Sequence, residues 1–376
     1  MTMRFGVFSS LLLWVAIAHP AQAASAPTTD TVLIVVSGEG RDDGSRPGYE
    51  FDELSQAWLI FRDNGLEVEI ASPRGGAVVA DRYDPEAPYN ARLLADAAAM
   101  TALQATRATG ELSAADYAAI YVVGGKGAMF DLPVDTALQS LMADVYEQGG
   151  VLAAVCHGPA ALAEVRRHDG SLLVAGRTVT GFTNEEEALF GKKWAATFPW
   201  LLEDAMRERG AHWREVPPVL SGIVVDGRLI TGQNPYSTPA LAEALVRATG
   251  RTPVVRAPWR EERAVALVQR LLDGEDDTVA TELASDRENI HVDLIGMIGY
   301  YHLQAAESPT AIESAVAVMA LAAPYMDEPR LHLAIAEGWW RLEDATRARD
   351  VLHPMLVRWP DFAQAGELLQ RIDGTR

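Results

Sequence analysis

A chain of 376 residues with 49% hydrophobic residues is long enough for a large α/β domain plus an accessory unit, so its core is not limited by size. Its 52 acidic residues against 32 lysines and arginines give a formal charge of −20, which argues against nucleic acid or an anionic membrane surface as partner, because phosphates would repel it. With one cysteine, Cys156, an internal disulfide is excluded.

The first residues carry an export pattern. Arg4 supplies a positive start, Phe5 to Ile17 a short apolar run, and Ala21-Gln22-Ala23 a small-residue cleavage site. The run is too short to span a bilayer comfortably. Residues 1–23 are therefore expected to be a signal peptide removed near Ala23, leaving a periplasmic or secreted protein with no membrane association; an uncleaved anchor is the competing reading. In that oxidising compartment Cys156 stays free, pairs between molecules, or is oxidised to sulfenic and sulfinic acid.

From residue 31 short β-rich runs alternate with helical stretches, the pattern of a mostly parallel sheet with helices on both faces. Strands are predicted at Thr31–Ser37, Leu66–Ser72, Tyr117–Val123 and Val151–Val155, and β-rich runs at Leu172–Thr180 and Gly222–Thr231, the last with an Asp226-Gly227 hairpin turn. Helices are predicted at Phe51–Asn64, capped by Gly65, and at Asn90–Thr109, Thr136–Gln148 and Thr238–Thr249. After a linker that begins at Gly250-Arg251-Thr252-Pro253, residues 259–376 show only amphipathic helical periodicity. There Gly299-Tyr300-Tyr301-His302-Leu303 recurs loosely as Gly338-Trp339-Trp340-Arg341-Leu342. Each copy is followed by a helical stretch ending near a proline, Pro324 or Pro360. The pattern resembles a tetratricopeptide repeat; a plain helical bundle is the alternative.

The most informative local feature is Cys156. It follows the apolar run Val151–Val155 and precedes His157-Gly158-Pro159-Ala160-Ala161-Leu162. A buried strand that ends on a nucleophile and turns at once into a helix is the elbow of α/β hydrolytic enzymes. A helix N-terminus lowers a thiol pKa, so a reactive thiolate is expected. The alternative is a structural cysteine packed as a small hydrophobe.

Five separated motifs carry a wider resemblance: Ala71-Ser72-Pro73-Arg74-Gly75-Gly76, Gly124-Gly125-Lys126-Gly127-Ala128-Met129-Phe130-Asp131-Leu132-Pro133, Ala154-Val155-Cys156-His157-Gly158-Pro159, Gly181-Phe182-Thr183-Asn184-Glu185-Glu186-Glu187, and Gly232-Gln233-Asn234-Pro235-Tyr236-Ser237. Over roughly residues 30–250 the chain resembles the ThiJ/PfpI superfamily, also described as class I glutamine-amidotransferase-like. The fourth and fifth motifs are most similar to the branch holding glutathione-independent glyoxalases (glyoxalase III) and heat-shock holdase chaperones, some members of which are also described as protein deglycases. The resemblance implies a flavodoxin-like, doubly wound, mostly parallel α/β sheet, here followed by an all-helical extension.

The resemblance also implies roles. Cys156 matches the nucleophile, His157 the histidine beside it, and Glu53 the acid that faces the sulfur. A carboxyl next to a thiolate should have a raised pKa and could pass protons to it. Glu187 matches the acid that orients the histidine, with Glu186 as its nearest alternative. The backbone N–H groups around Gly125 and Lys126, with that of His157, would form an oxyanion hole. Where many members of the branch have Gly-Gly-His-Gly, this chain has Lys126, an ammonium that could depress the thiol pKa or hold a product carboxylate. Read singly, Glu53 could be a solvated charge, the glutamate run a surface patch and the paired glycines an ordinary turn.

The activity implied is conversion of methylglyoxal and related 2-oxoaldehydes to 2-hydroxy acids through a Cys156 hemithioacetal, without metal or organic cofactor. The sequence has no close His/Cys/Asp/Glu cluster with a metal-ligand spacing, and His168 and His212 are scattered. A holdase chaperone or interaction module with a redox-sensitive Cys156 is the alternative of a different class, and an amidase or cysteine peptidase is the third. A protein partner at the helical tail and a homodimer are both compatible with the sequence.

Overall fold

The computed structural model describes residues 29–40 and 47–374; the expected signal peptide lies outside the described residues. Near-continuous apolar runs mark strands covered on both faces, and such runs form the middle of the sheet. In chain order the strands are β1 (Thr31–Val35), β2 (Glu67–Ser72), β3 (Arg107–Ala108), β4 (Ala119–Val122), β5 (Val151–Val155), β6 (Thr178–Val179), β7 (His212–Trp213), β8 (Ile223–Asp226) and β9 (Leu229–Gly232). Seven of them make one sheet in the order β3-β2-β1-β4-β5-β9-β8, parallel except for the β8–β9 hairpin. Strands β4 and β5 are buried along their whole length at the centre. The expected α/β architecture is therefore present, with its mostly parallel sheet and flanking helices.

Two expectations are corrected. The helical stretch expected at Asn90–Thr109 is two helices, Pro88–Leu94 and Ala97–Gln104, followed by the edge strand β3. Asp96 caps the second helix, its carboxylate accepting from the amides of Ala98 and Ala99, which restarts the chain in a new direction. The β-rich run at Leu172–Thr180 forms only the two-residue β6, which pairs with β7 in a separate ribbon rather than joining the main sheet. Apolar content fixed its burial, but register was set by a partner some thirty residues downstream.

Beyond residue 259 the described residues are helical. Helices Val292–Ala305 and Pro309–Ala322 form one hairpin, and Pro329–Arg341 and Ala345–Arg358 a second, closed by Ala363–Gly374. Each copy of the glycine–aromatic motif sits at the end of the first helix of a hairpin. A β-carbon on Gly299 would lie 2.7 Å from the Met319 amide nitrogen and 3.0 Å from the Ala315 carbonyl oxygen, so the two helices cross at backbone distance only because that residue is glycine.

The tail is strapped to the α/β domain rather than tethered loosely. Arg251 pairs with Asp30 at 2.7 Å and the Val254 amide donates to the Asn64 side chain at 2.8 Å. Arg256 forks onto both oxygens of Glu262 at 2.6 Å, lies 3.2 Å from Glu243, and stacks over the Trp259 ring. Val219 and Leu220 of the α/β domain belong to the same apolar core as the tail helices.

Replacing Gly299 by Ala should destabilise the protein by about 1–3 kcal/mol through overpacking, despite about 1 kcal/mol gained in helix propensity. Urea denaturation measures this, and an unchanged or raised midpoint would contradict the crossing described.

Candidate active site

Strand β5 delivers Cys156 to the carboxyl edge of the sheet, where ligands bind in open α/β folds. The residue adopts φ +59°, a left-handed conformation that costs a non-glycine residue about 1–3 kcal/mol. Its backbone is clamped on both sides: the Cys156 amide donates to the Gly232 carbonyl at 2.9 Å, and its carbonyl accepts from the Phe182 amide at 2.8 Å. The third, fourth and fifth sequence motifs thus meet at one residue. After His157 the chain enters a 3-10 turn, Gly158–Leu162, rather than the helix expected from the sequence. Five residues in that geometry give little macrodipole.

Four predicted residues converge on the sulfur. His157 Nδ1 lies 3.4 Å from Cys156 Sγ, and its Nε2 lies 2.6 Å from Glu187 Oε1. Glu187, not Glu186, therefore orients the imidazole, and both glutamates are buried rather than forming a surface patch. Glu53, in the first turn of helix Phe51–Asp63, is fully buried, and its Oε2 accepts from the Gly124 amide at 2.6 Å. Its second carboxyl oxygen, Oε1, is buried without a hydrogen-bond partner among the described residues, and the carboxyl stands close enough to the Cys156 thiol to act on its ionisation. The Gly125 backbone lies beside the same sulfur in the pocket lining, and its amide favours the thiolate. Gly125 sits at φ +86°, and a β-carbon there would come within 2.5 Å of the Glu50 nitrogen. Only glycine lets this loop approach the start of the helix that carries Glu53.

The electrostatics differ from the expectation of a lowered thiol pKa. Burial pushes the Cys156 thiol well up, and the neighbouring Glu53 and Glu50 carboxylates push it further. Burial and then Glu50 likewise hold Glu53 well above the usual carboxylate range. The Glu53 carboxylate resists ionisation of the thiol, whereas the protonated thiol favours the Glu53 carboxylate and so partly offsets burial there.

The pocket over the sulfur has a volume of about 290 Å³. Lys126, Glu50, Phe182 and Phe190 are among its lining residues. Asn234, Pro235 and Tyr236 supply the fifth motif's contribution, whereas the first motif, Ala71 to Gly76, stays outside the lining. Five lining residues, Glu50, Phe190, Val219, Met297 and Tyr301, lie outside the five motifs; Tyr301 figures in the sequence only within the glycine–aromatic repeat of the tail. Glu50 is held up to about 8, chiefly by burial and by Asp52 and Asp81, with Lys126 opposing. Phe190 comes from a π-helical turn, Glu187–Gly191, and Met297 and Tyr301 come from the helical tail. No local pattern places any of them at the pocket. Among the described residues, no group of three or more His, Cys, Asp or Glu is placed to hold a metal ion.

Glu186 ties the pocket floor together. Its carboxylate accepts from the Val219 amide at 3.0 Å, the Asn234 side chain at 2.8 Å and the Thr183 amide at 3.2 Å. Burial nonetheless raises it to about 7 from its ordinary value of 4.5. An acid raised in the fold binds its proton more tightly folded than unfolded. Its stabilising contribution is full below about pH 4.5 and is lost as pH rises through about 7. The thermal midpoint should therefore fall between pH 5 and 8, and Glu186→Gln should flatten the part of that fall below pH 7. Melting curves across this range check it, and an unchanged slope in the variant would contradict the assignment.

Known proteins are similar to this chain in sequence and fold. The chain is 32% identical over 241 residues to a Schizosaccharomyces pombe protein named glutathione-independent glyoxalase hsp3101, a match covering 58% of this chain and 95% of the relative. The structure of glyoxalase III from Candida albicans matches with a TM-score of 0.53 and 28% identity, over 58% of this chain and 96% of that one. The Francisella tularensis rapid encystment protein of 24 kDa matches with a TM-score of 0.54 and 30% identity, over 58% of this chain and 98% of that one. Residues 45–248, more than half of the chain, match the DJ-1/PfpI family, and with Cys156 on its elbow inside that span the chain belongs to this family.

Proposed function

We propose that this protein is a glutathione-independent glyoxalase that converts 2-oxoaldehydes to 2-hydroxy acids at Cys156. The single observation that carries the reading is the buried convergence of Glu53, the Gly125 amide and the His157–Glu187 pair on one sulfur. Relatives at about 30% identity that carry the name glyoxalase support the reaction class.

The chemistry follows from where the groups stand. As the Cys156 sulfur bonds to the aldehyde carbon, its proton passes to Glu53, whose raised pKa makes it a stronger base than an ordinary carboxylate. The proton then moves to the former carbonyl oxygen, giving a hemithioacetal. Glu53 or His157 removes the hydrogen from the carbon bearing sulfur while the ketone oxygen gains a proton, giving an enediol; a proton then returns to the former ketone carbon as the hydroxyl on the sulfur-bearing carbon loses its own. The result is a 2-hydroxy thioester: one carbon is oxidised and its neighbour reduced, with no external electron carrier. Water, activated by His157 held by Glu187, releases the acid and restores the thiol. The amides of Gly125, Lys126 and His157 face the developing oxyanion, and Lys126 takes the product carboxylate.

The Cys156–His157–Glu187 line would also suit amide hydrolysis, which is the second reading, and release of ammonia or amine from amide substrates without aldehyde turnover would favour it. A binding function that needs no thiol leaves the buried constellation without a use.

Purified mature protein should form lactate from methylglyoxal without glutathione. Cys156→Ala should abolish turnover, and Glu53→Gln should lower kcat by about 10²–10⁴-fold, the range for loss of a general acid–base. Wild-type protein with Cys156 reduced that forms no lactate would remove the reading.

A further inference from the structure

Two side chains of the active-site pocket, Met297 and Tyr301, lie outside the residues that match the family, on the tail helix Val292–Ala305. They are firmly placed. His302 Nε2 bonds to the Pro218 carbonyl at 2.8 Å, and Ile295 and Ile298 of the same helix share an apolar core with Val219 and Leu220. Tyr301 also ends a line of rings that begins at the sulfur's own histidine. His157 lies 4.5 Å from Phe182, Phe182 lies 6.5 Å from Phe190, and Phe190 meets Tyr301 edge-on at 4.5 Å.

This wall encloses more room than the smallest substrate uses. Methylglyoxal has five non-hydrogen atoms; even if each took the share of a liquid water, roughly 30 Å³, together they would occupy at most about 150 Å³. That is about half of the 290 Å³ available. The lining combines apolar and aromatic side chains, Phe182, Phe190, Met297 and Tyr301 among them, with the cation Lys126, which follows Gly125 in the chain.

We propose that the helical tail is part of the active site, and that Tyr301, Met297 and Phe190 form a subsite for an apolar substituent larger than methyl on the 2-oxoaldehyde. The proposal rests on the glyoxalase reading for the reaction and adds the class of substrate. An aryl group placed there lies against the ring line while the carbonyl carbons face Cys156 and the nascent carboxylate faces Lys126. Tyr301 and Met297 also line a second cavity of about 240 Å³, which Met326 and Leu331 line as well, so these two side chains are shared by the two spaces.

The test compares phenylglyoxal with methylglyoxal, and their products mandelate and lactate, on full-length wild type, Tyr301→Ala and Tyr301→Phe. The ratio of kcat/KM for phenylglyoxal to that for methylglyoxal should exceed one in the wild type. It should fall about tenfold in Tyr301→Ala, the low end of what one altered apolar contact discriminates. Tyr301→Phe, which keeps the ring, should retain the wild-type ratio. Independently of turnover, mandelate should protect Cys156 from iodoacetamide better than lactate does, and Tyr301→Ala should lose that difference. Equal protection by the two acids, or a ratio unmoved by Tyr301→Ala, overturns the subsite. Protection by mandelate in a wild type that turns over neither aldehyde sinks the glyoxalase reading and leaves the subsite standing. Turnover of both aldehydes without an aryl preference does the reverse.

Discussion

The left-handed backbone at Cys156 is the constraint on which the site depends. At φ +59° the side chain leaves the strand in a direction that ordinary β geometry cannot reach, and only there does one sulfur meet the Gly125 amide, the Glu53 carboxyl and the His157 ring. Such a conformation persists when its surroundings over-determine it. Here the hydrogen bonds to Gly232 and from Phe182 hold the backbone on both sides, with a fully buried β5 behind it. The glycines at 124 and 125 let the β4 loop close down on it. A β-carbon at Gly124 would strike the Cys156 side chain itself.

That geometry sets the electrostatics. A thiol at the start of a long helix would ionise easily, but this one faces a short 3-10 turn and two carboxyls in a buried pocket. The consequence is a site that stores a proton between sulfur and Glu53 rather than one that holds a free thiolate. For the proposed addition to an aldehyde this is serviceable, because the group that takes the proton stands beside the attacking atom. The same reluctance to ionise extends to Glu50 at the rim and Glu186 on the floor, both raised chiefly by burial. The fold accepts that cost in order to keep the pocket's loops joined.

Much of this was legible in the sequence because it is local. A five-residue apolar run ending on a cysteine signals the elbow, alternating β-rich and helical segments signal the parallel sheet, and paired glycines after β4 signal a close backbone approach. The identity of the acid behind His157 was not settled by such signals, since adjacent glutamates differ only in which way the chain turns at the π-helical segment Glu187–Gly191. The edge strand β3 and the β6–β7 ribbon were missed or misplaced for a related reason: two-residue strands are fixed by partners distant in sequence, not by their own composition. The tail's contribution was out of reach altogether. Met297 and Tyr301 sit in an amphipathic helix whose pattern says only that one face is buried; that the face closes over Cys156 depends on packing against Val219 and Leu220, far away along the chain.

On the proposed mechanism Cys156 and Glu53 share a proton, and the pH dependence of Cys156 alkylation reports on that pair. In wild type, burial first and then the Glu53 charge beside the sulfur should hold the midpoint above that of an ordinary thiol. Glu53→Gln keeps the shape and removes the charge, so its midpoint should move down. A midpoint that stays put or rises in the variant would mean that the carboxyl does not share its proton with the thiol, and the account of the site would fail at its base.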